Sequence, residues 1–311
     1  MPAERAGRRA GQAAAGRRTA GQQALAASQQ QAARHEDLAA SRARLRADCS
    51  RCSGLCCVVP AFAASADFAI DKPAGQPCQH LSQDSRCSIH DLLRQRGFPG
   101  CAAYDCFGAG QQVTQVTFGG QDWRQRPQLA AGLFAAFPVM RQLHELLWYL
   151  TEALALPLQP GDQLLAGLRS ALASTQQLTR LDPAALAAVD LPRQREQVNG
   201  LLLRASELAR GSQRGPDLRG ADLAGRDFSG ADLRGASLRG ACLIGARLRG
   251  ADLTLADFTG ADVRGADLGG AALAGSLFLT RAQLDSAAGD RQTTLPAGLS
   301  RPPHWLSPAR R

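Results

Sequence analysis

The chain has 311 residues, enough for about two domains, and a formal net charge of +9. It is 45% hydrophobic but only 5% aromatic, with 32 glycines, so its interior must be filled by Leu, Ala and Val. No apolar stretch reaches the roughly 20 residues that a membrane-spanning helix needs, and the N-terminus lacks the apolar run of a secretory signal. Both features lead us to expect a soluble, cytoplasmic protein.

Residues 1–45 read as a basic low-complexity tail. Arg8, Arg9, Arg17 and Arg18 sit among Ala, Gly and a Gln29-Gln30-Gln31 run, a composition that buries too little apolar surface to fold alone. A frayed helix is expected from about Ala24. Without aromatic residues to stack on bases, the arm is expected to be solvated rather than bound to nucleic acid.

Residues 46–110 form a cysteine-rich unit. Eight of the nine cysteines fall here: Cys49, Cys52, Cys56, Cys57, Cys78, Cys87, Cys101 and Cys106. In a reducing compartment such clusters are more often metal ligands or redox groups than disulfides. Pro60, Pro73, Gly75, Pro77, Gly97, Pro99 and Gly100 punctuate a segment poor in large apolar residues, so it needs a cross-link to hold a fold. The Cys49-x2-Cys52 pair has the spacing that brings two sulfurs to one ion, and structural zinc takes four ligands. With His80 and His90 the set is large enough for two sites. Cysteine-only ligation of an iron–sulfur cluster fits equally well by number. Adjacent Cys56 and Cys57 are expected to serve different ions, or one of them is free.

Residues 113–212 read as a helical region. Leu129, Leu133, Phe134, Phe137, Met140, Leu143, Leu147, Leu150 and Leu154 recur at steps of three and four, one stripe of an amphipathic helix. Pro138 is expected to start a new helix or kink this one. Asp182-Pro183 is an N-cap with proline at the first position, and another helix is expected from about Arg193 to Ala209. His144, beside Glu145, reads as a surface or core residue.

From Asp217 the period becomes five. Large residues fall at Leu218, Leu223, Phe228, Leu233, Leu238, Leu243, Leu248, Leu253, Phe258, Val263, Leu268, Leu273 and Phe278, thirteen centres in register. A small residue stands two places before almost all of them, Arg226 being the misfit. The unit Ala-Asp-Leu-x-Gly, as in Ala221-Asp222-Leu223-Ala224-Gly225, resembles the pentapeptide-repeat family. That resemblance implies a right-handed quadrilateral β-helix over 216–284, with one pentapeptide per side. One large and one small side chain per side would fill its narrow interior, Asp and Arg would project outward, and Gly would allow the corners. Residues 285–311 are expected to form a cap and tail. The stretch Leu279–Ala287 slips the register by one residue, and Trp305 is expected to cover the open end.

Some pentapeptide-repeat proteins protect DNA gyrase by mimicking DNA, which requires a dense one-signed field. From Asp217 to Phe278 there are eight Asp and seven Arg, a net of −1, and this balance argues against mimicry. Cys242 occupies a usual Asp position, so it is expected to face solvent with no role.

The cysteine segment resembles the CxxCxxCC family of zinc- or iron-chelating domains. Cys49, Cys52, Cys56 and Cys57 match its founding motif, with three residues instead of two between Cys52 and Cys56. Pro77-Cys78-Gln79-His80-Leu81, Cys87-Ser88-Ile89-His90, Pro99-Gly100-Cys101 and Tyr104-Asp105-Cys106 match its later elements. No P-loop, dinucleotide fingerprint or Ser-nucleophile elbow occurs elsewhere. The fold class expected is therefore multidomain: a small metal-stabilised cysteine unit, an α-helical connector and a C-terminal solenoid. The function expected is a metal-binding, zinc or iron–sulfur, interaction scaffold with a protein partner and no defined catalysis. The alternative is a redox or radical enzyme using an iron–sulfur cluster.

Overall fold

The structure is a computed structural model that describes residues 38–158 and 163–306. Most of the tail read over 1–45, the helix expected from Ala24 and the last five residues lie outside the described residues. The chain divides into two units, Met1–Arg44 and Leu45–Arg311. Of the first, residues 38–44 are helical; the remaining elements belong to the second.

The cysteine-rich part carries two short helices, α1 (Leu55–Val58) and α2 (Pro99–Ala103), within loops. The helical region comprises α3 (Ala130–Ala155), α4 (Gln163–Leu178), α5 (Pro183–Ala187) and α6 (Leu191–Arg210). A π-helical turn over Gln112–Thr117 precedes them. Pro138 neither starts nor ends α3, which runs unbroken through it. Proline removes one backbone donor, but Leu133, Ala136, Phe137, Met140 and Leu143 are buried on both sides of it, and that packing holds the helix across the gap. Asp182 caps α5 by accepting from the amides of Ala184 and Ala185, both at 2.9 Å. Among the described residues no helix is long and apolar enough to cross a membrane.

From Asp217 the backbone stacks on itself every twenty residues. Parallel bridges join Asp217 to Ser237, Asp222 to Cys242, and so on to Asp257 with Leu277, which is four pentapeptides per coil. Each bridge is isolated, because each side is only one pentapeptide long. Leu238, Leu243, Leu248, Leu253, Phe258, Leu268 and Leu273 are fully buried, as are Ala241, Ala246, Ala251 and Ala266. Each repeat Asp also has a local task beyond projecting outward. Its carboxylate accepts the amide two residues on, as Asp222 does from Ala224 at 3.2 Å and Asp257 from Thr259 at 2.9 Å, an Asx turn that sets the corner. Ion pairs then neutralise the outside, among them Arg219–Asp217, Arg234–Asp232 and Arg264–Asp262 at 2.6–2.8 Å.

One side of the coil departs from the outward pattern. Asp257 is fully buried, paired with Arg239 at 3.1 Å. Phe278, expected as the thirteenth inward centre, instead joins the core of the helical region and meets Tyr149 edge-on at 6.2 Å. Leu279 takes the place inside the coil, so the register slip begins one residue earlier than the sequence pattern places it. Leu255 stands where other corners carry glycine, at φ +59°. A side chain in that region costs roughly 1–2 kcal/mol, which is offset by packing of Leu255 against the same helical core. The column Ser237–Asp257–Leu277 is thus the face that the helices cover, with Arg210 donating to the Gly235 carbonyl at 3.1 Å.

The ladder continues past the last regular repeat. Asp267 bridges to Ala288 and Ala272 to Thr294, while α7 (Arg281–Ser286) starts on a capping box of Thr280 and Gln283. Trp305 is buried in the solenoid core and donates to the Ala287 carbonyl at 3.0 Å.

Two corner glycines separate backbone freedom from close approach. At Gly240, φ is +64° and an added Cβ meets open space. At Gly235, φ is +60° and an added Cβ collides with the Gln213 carbonyl oxygen. Gly240→Ala is expected to cost roughly 1–2 kcal/mol in urea denaturation. Gly235→Ala should cost clearly more, because backbone must move. Equal costs would show that the Gln213 contact does not matter.

Candidate functional site

The eight cysteines lie on loops and short helices pinned by neighbouring segments. Gln115 donates to the Arg51 carbonyl at 2.9 Å, and Gln111 both donates to the Arg46 carbonyl at 2.7 Å and accepts from the Asp48 amide at 3.0 Å. Trp123 holds the Ser53 carbonyl at 2.9 Å. Leu55 and Val58 anchor α1 in buried positions, which leaves Cys56 and Cys57 half-buried. Their sulfurs are 3.9 Å apart.

Two glycines make room for the thiols and their supports. A Cβ on Gly110 would fall 2.6 Å from the Cys52 sulfur. A Cβ on Gly100 would fall 2.5 Å from the Phe68 ring, so the turn entering Cys101 rests directly on that ring. Phe68 in turn stacks on Phe62 at 4.3 Å.

Burial sets the resting chemistry. It pushes the Cys52 thiol up to about 11, although the amides of Leu55 and Gly54 point at the sulfur and oppose the rise. Burial likewise raises Cys106, opposed by the amides of Gly110 and Gly108, and Cys87, opposed by that of Ile89. Cys101 is pushed up to about 12 by burial and then by Cys57, Cys78 and Cys87. The hydrogen bond with Cys57 raises Cys56, and the same bond lowers Cys57, which Lys72 and Arg124 lower further. Burial, Cys106 and Cys57 raise Cys49, on an otherwise exposed residue. The thiols so raised are protonated at neutral pH until something stabilises the anion, while amides aimed at sulfur favour the thiolate that a metal would take.

Sequence reasoning overlooked Lys72, although it is the chain's one lysine. It is 4% exposed, and its ammonium donates to the carbonyls of Val58, Pro73 and Gln76 at 2.9, 3.1 and 3.1 Å. It also lies 5.3 Å from the centre of the Phe62 ring. Among the described residues it forms no ion pair with a carboxylate; burial lowers its pKa, and Cys78, Cys57 and Cys101 would oppose that fall when ionised.

All eight cysteines are free thiols. The two histidines proposed with them have other surroundings. His80 contacts the Gln79 amide at 3.3 Å and the edge of Phe98 at 5.4 Å, and His90 is exposed on the turn His90–Leu92. Among the described residues no three His, Cys, Asp or Glu side chains converge closely enough to hold a metal ion as they stand. The donor set suits zinc or iron by its chemistry, and binding would require the loops to draw inward. Cys242 is half-buried on the solenoid, bridged to Asp222 and Asp262.

His144 of α3 is buried, with Nδ1 2.7 Å from the Phe107 carbonyl. Burial lowers its pKa from 6.5 to about 4. The unfolded chain therefore binds a proton that the folded chain does not between these values. Stability should fall as the pH drops from about 6.5 toward 4, by on the order of 3 kcal/mol in all. His144→Gln should flatten that part of a pH–denaturation profile; an unchanged slope would assign the dependence to other groups.

The five-residue register and the twenty-residue stacking define a pentapeptide-repeat protein. The family described as "Pentapeptide repeats (8 copies)" matches residues 217–254 and 251–287. The chain belongs to the same family as YybG of Bacillus subtilis (strain 168), described as an "Uncharacterized protein", with 52% identity over 266 residues covering 84% of this chain and 95% of that protein. Two solved pentapeptide-repeat structures are similar over about a quarter of this chain. Rfr23 of the cyanobacterium Cyanothece 51142 is 32% identical over 25% of this chain and 53% of its own, with a TM-score of 0.24. HetL of Nostoc sp. strain PCC 7120, described as involved in heterocyst differentiation regulation, is 35% identical over 26% of this chain and 34% of its own, with a TM-score of 0.19.

Proposed function

We propose that this pentapeptide-repeat protein is a cytoplasmic metal–thiolate scaffold. Its cysteine unit binds zinc or iron, and its solenoid presents a surface to a protein partner. The observation that carries the reading is the gathering of eight free cysteines in one unit, three of them with backbone amides trained on their sulfurs. Such amides stabilise a thiolate and do little for a neutral thiol. The metal's part is to stabilise loops that bury few apolar side chains. The paired Asp and Arg of the repeats give a near-neutral outer face, which suits a protein surface better than the polyanion site of a nucleic-acid mimic.

The test is elemental analysis of protein purified natively, without chelator and under anaerobic conditions, together with its visible spectrum. Zinc or iron at one or more equivalents per chain supports the reading. A brown protein absorbing near about 400 nm assigns an iron–sulfur cluster and favours the redox-enzyme alternative. Protein without stoichiometric transition metal overturns the reading.

A further inference from the structure

The two ends of the solenoid are finished differently. At the C-terminal end later segments take up the ladder: the Leu268 amide donates to the Ala288 carbonyl at 2.8 Å and that of Leu273 to Thr294 at 3.2 Å. Gln283 donates to the carbonyls of Phe258 and Ala261 at 2.8 and 2.9 Å. At the N-terminal end the first coil has no such cover on three of its sides. In the second coil the amides of Cys242, Arg247 and Asp252 reach the carbonyls of Ala221, Arg226 and Ala231 at 2.9, 2.8 and 3.0 Å. The corresponding amides of the first coil, those of Asp222, Asp227 and Asp232, have no acceptor among the described residues, and their carbonyls have no donor. Phe228 and Ala231 are only partly buried, whereas Leu248 and Ala251, one coil further in, are fully buried. On the fourth side the chain enters from α6, with Gly215 donating to the Gly235 carbonyl at 3.0 Å.

Arg226, the misfit of the repeat, lies on this open coil. Its backbone is that of an ordinary small inward position. The amide donates to the Leu223 carbonyl at 3.1 Å and the carbonyl accepts from Arg247 at 2.8 Å, as those of Ala246 do one coil further in with Leu243 and Asp267. Ala246 and Ala266, the next two residues of that column, are fully buried, while Arg226 is exposed. The other six arginines of the repeats, Arg219, Arg234, Arg239, Arg247, Arg249 and Arg264, each pair with an Asp. Among the described residues Arg226 has neither an ion pair nor a side-chain hydrogen bond.

A row of unpaired amides and carbonyls beside partly exposed apolar side chains is a template on which another strand can pair. Every copy of the chain carries the same row, so a second copy is the first partner such an edge would meet. Coils stack about 4.8 Å apart, and an arginine side chain is longer than that. The fully buried Ala246 closes the way inward, so the Arg226 guanidinium leaves through the open end. A coil seated there would enclose the charge in a space that alanine fills elsewhere in the column, with no carboxylate to meet it, and burying an unpaired charge is costly. Charges set inward at a sheet edge are one of the devices that keep edges apart.

We infer that Arg226 is a guard on the open end of the solenoid: a charge in an inward position of the first coil that bars a second copy of the chain from pairing with the free edge.

The test is sedimentation velocity on the full chain over a concentration series, with urea denaturation of each variant at low concentration. The wild type is expected to stay monomeric. Arg226→Ala should self-associate about tenfold or more tightly than the wild type, with a urea midpoint no lower, because alanine is the residue the column takes elsewhere. Hydrogen exchange in the associated variant should slow over 217–235 and not over 285–306. Arg226→Lys, which keeps the charge, should remain monomeric. Adding Ala231→Arg to Arg226→Ala moves the charge to another side of the same coil and should restore the monomer, which a purely local effect at residue 226 would not do. Four results overturn the inference: a wild type that associates as strongly as Arg226→Ala, an Arg226→Ala protein that stays monomeric, a double variant that associates as the single one does, or association accompanied by a lowered urea midpoint. The last would mean that Arg226 stabilises the coil rather than guarding its end.

Discussion

Replacing Leu248 by Asp should unfold the solenoid, while replacing its neighbour Arg247 by Asp should barely change stability. Leu248 is fully buried, and the twenty-residue stack sets it between Phe228 on one neighbouring coil and Leu268 on the other. Removing its side chain forfeits roughly 1.5–3 kcal/mol of burial. A carboxylate left there without a partner costs several kcal/mol more, or must be protonated to stay. Natural domains have only about 5–15 kcal/mol in hand, and each coil is stabilised only by its neighbours, so the defect spreads along the stack. Arg247 has a side chain that is 69% exposed and a pair with Asp227 at 3.4 Å. Losing it should cost within about 1 kcal/mol. Urea denaturation followed by circular dichroism separates the two variants. Similar midpoints would mean that the inward register has been misassigned.

Chelation should loosen part of the cysteine unit and spare the rest. Sequence composition led us to expect the whole of 46–110 to depend on a metal, but the structure distributes its apolar contacts unevenly. Leu55 and Val58 are fully buried and Phe107 nearly so, and Leu55 joins the cluster built on α3. Residues 60–101 have less: the Phe62–Phe68 stack, with Leu93 and Phe98 buried. Ordering a loop costs about 1–2 kcal/mol per residue in backbone entropy, more than those side chains offset. Structural zinc contributes roughly 10–16 kcal/mol in small peptides near neutral pH, enough to decide the balance. Hydrogen exchange after chelation under reducing conditions should show protection lost over 60–101 and kept over 55–58, α3 and the repeats. Joint replacement of Cys57 and Cys78 by Ser should reproduce the loss, and Cys242→Ser should not. If 60–101 keeps its protection once all metal has been removed, its fold rests on the loops alone.

The arrangement of the cysteines was only partly legible beforehand. Their spacing marked out the donor types, because ligand chemistry resides in single side chains. It did not show that Cys52 sits beside Gly110 or that Cys78 hydrogen-bonds to Cys57, since such contacts join residues 21 to 58 positions apart. His80 and His90 were attractive by spacing alone, yet their neighbours are Gln79, Phe98 and solvent. Lys72 was visible as the one lysine, but its burial beneath three carbonyls became apparent only once the loop had closed around it.

By itself the sequence determined the five-residue period, the inward Leu and Ala, and the N-cap at Asp182. These follow from local rules: a corner that favours glycine, a narrow interior, a side-chain oxygen placed to accept helix amides. Only the tertiary structure decided which side of the coil the helices cover. That contact buries Asp257, turns Phe278 away from the coil interior and puts Leu255 at a corner where glycine would be unstrained. A separate contact, the packing of Leu133, Phe137 and Met140 against Leu55, Ala109 and Val113, carries α3 straight through Pro138. In each case a contact with a distant part of the chain outweighs a local preference worth one to a few kcal/mol, and no pattern within a five- or seven-residue window records where that contact will form.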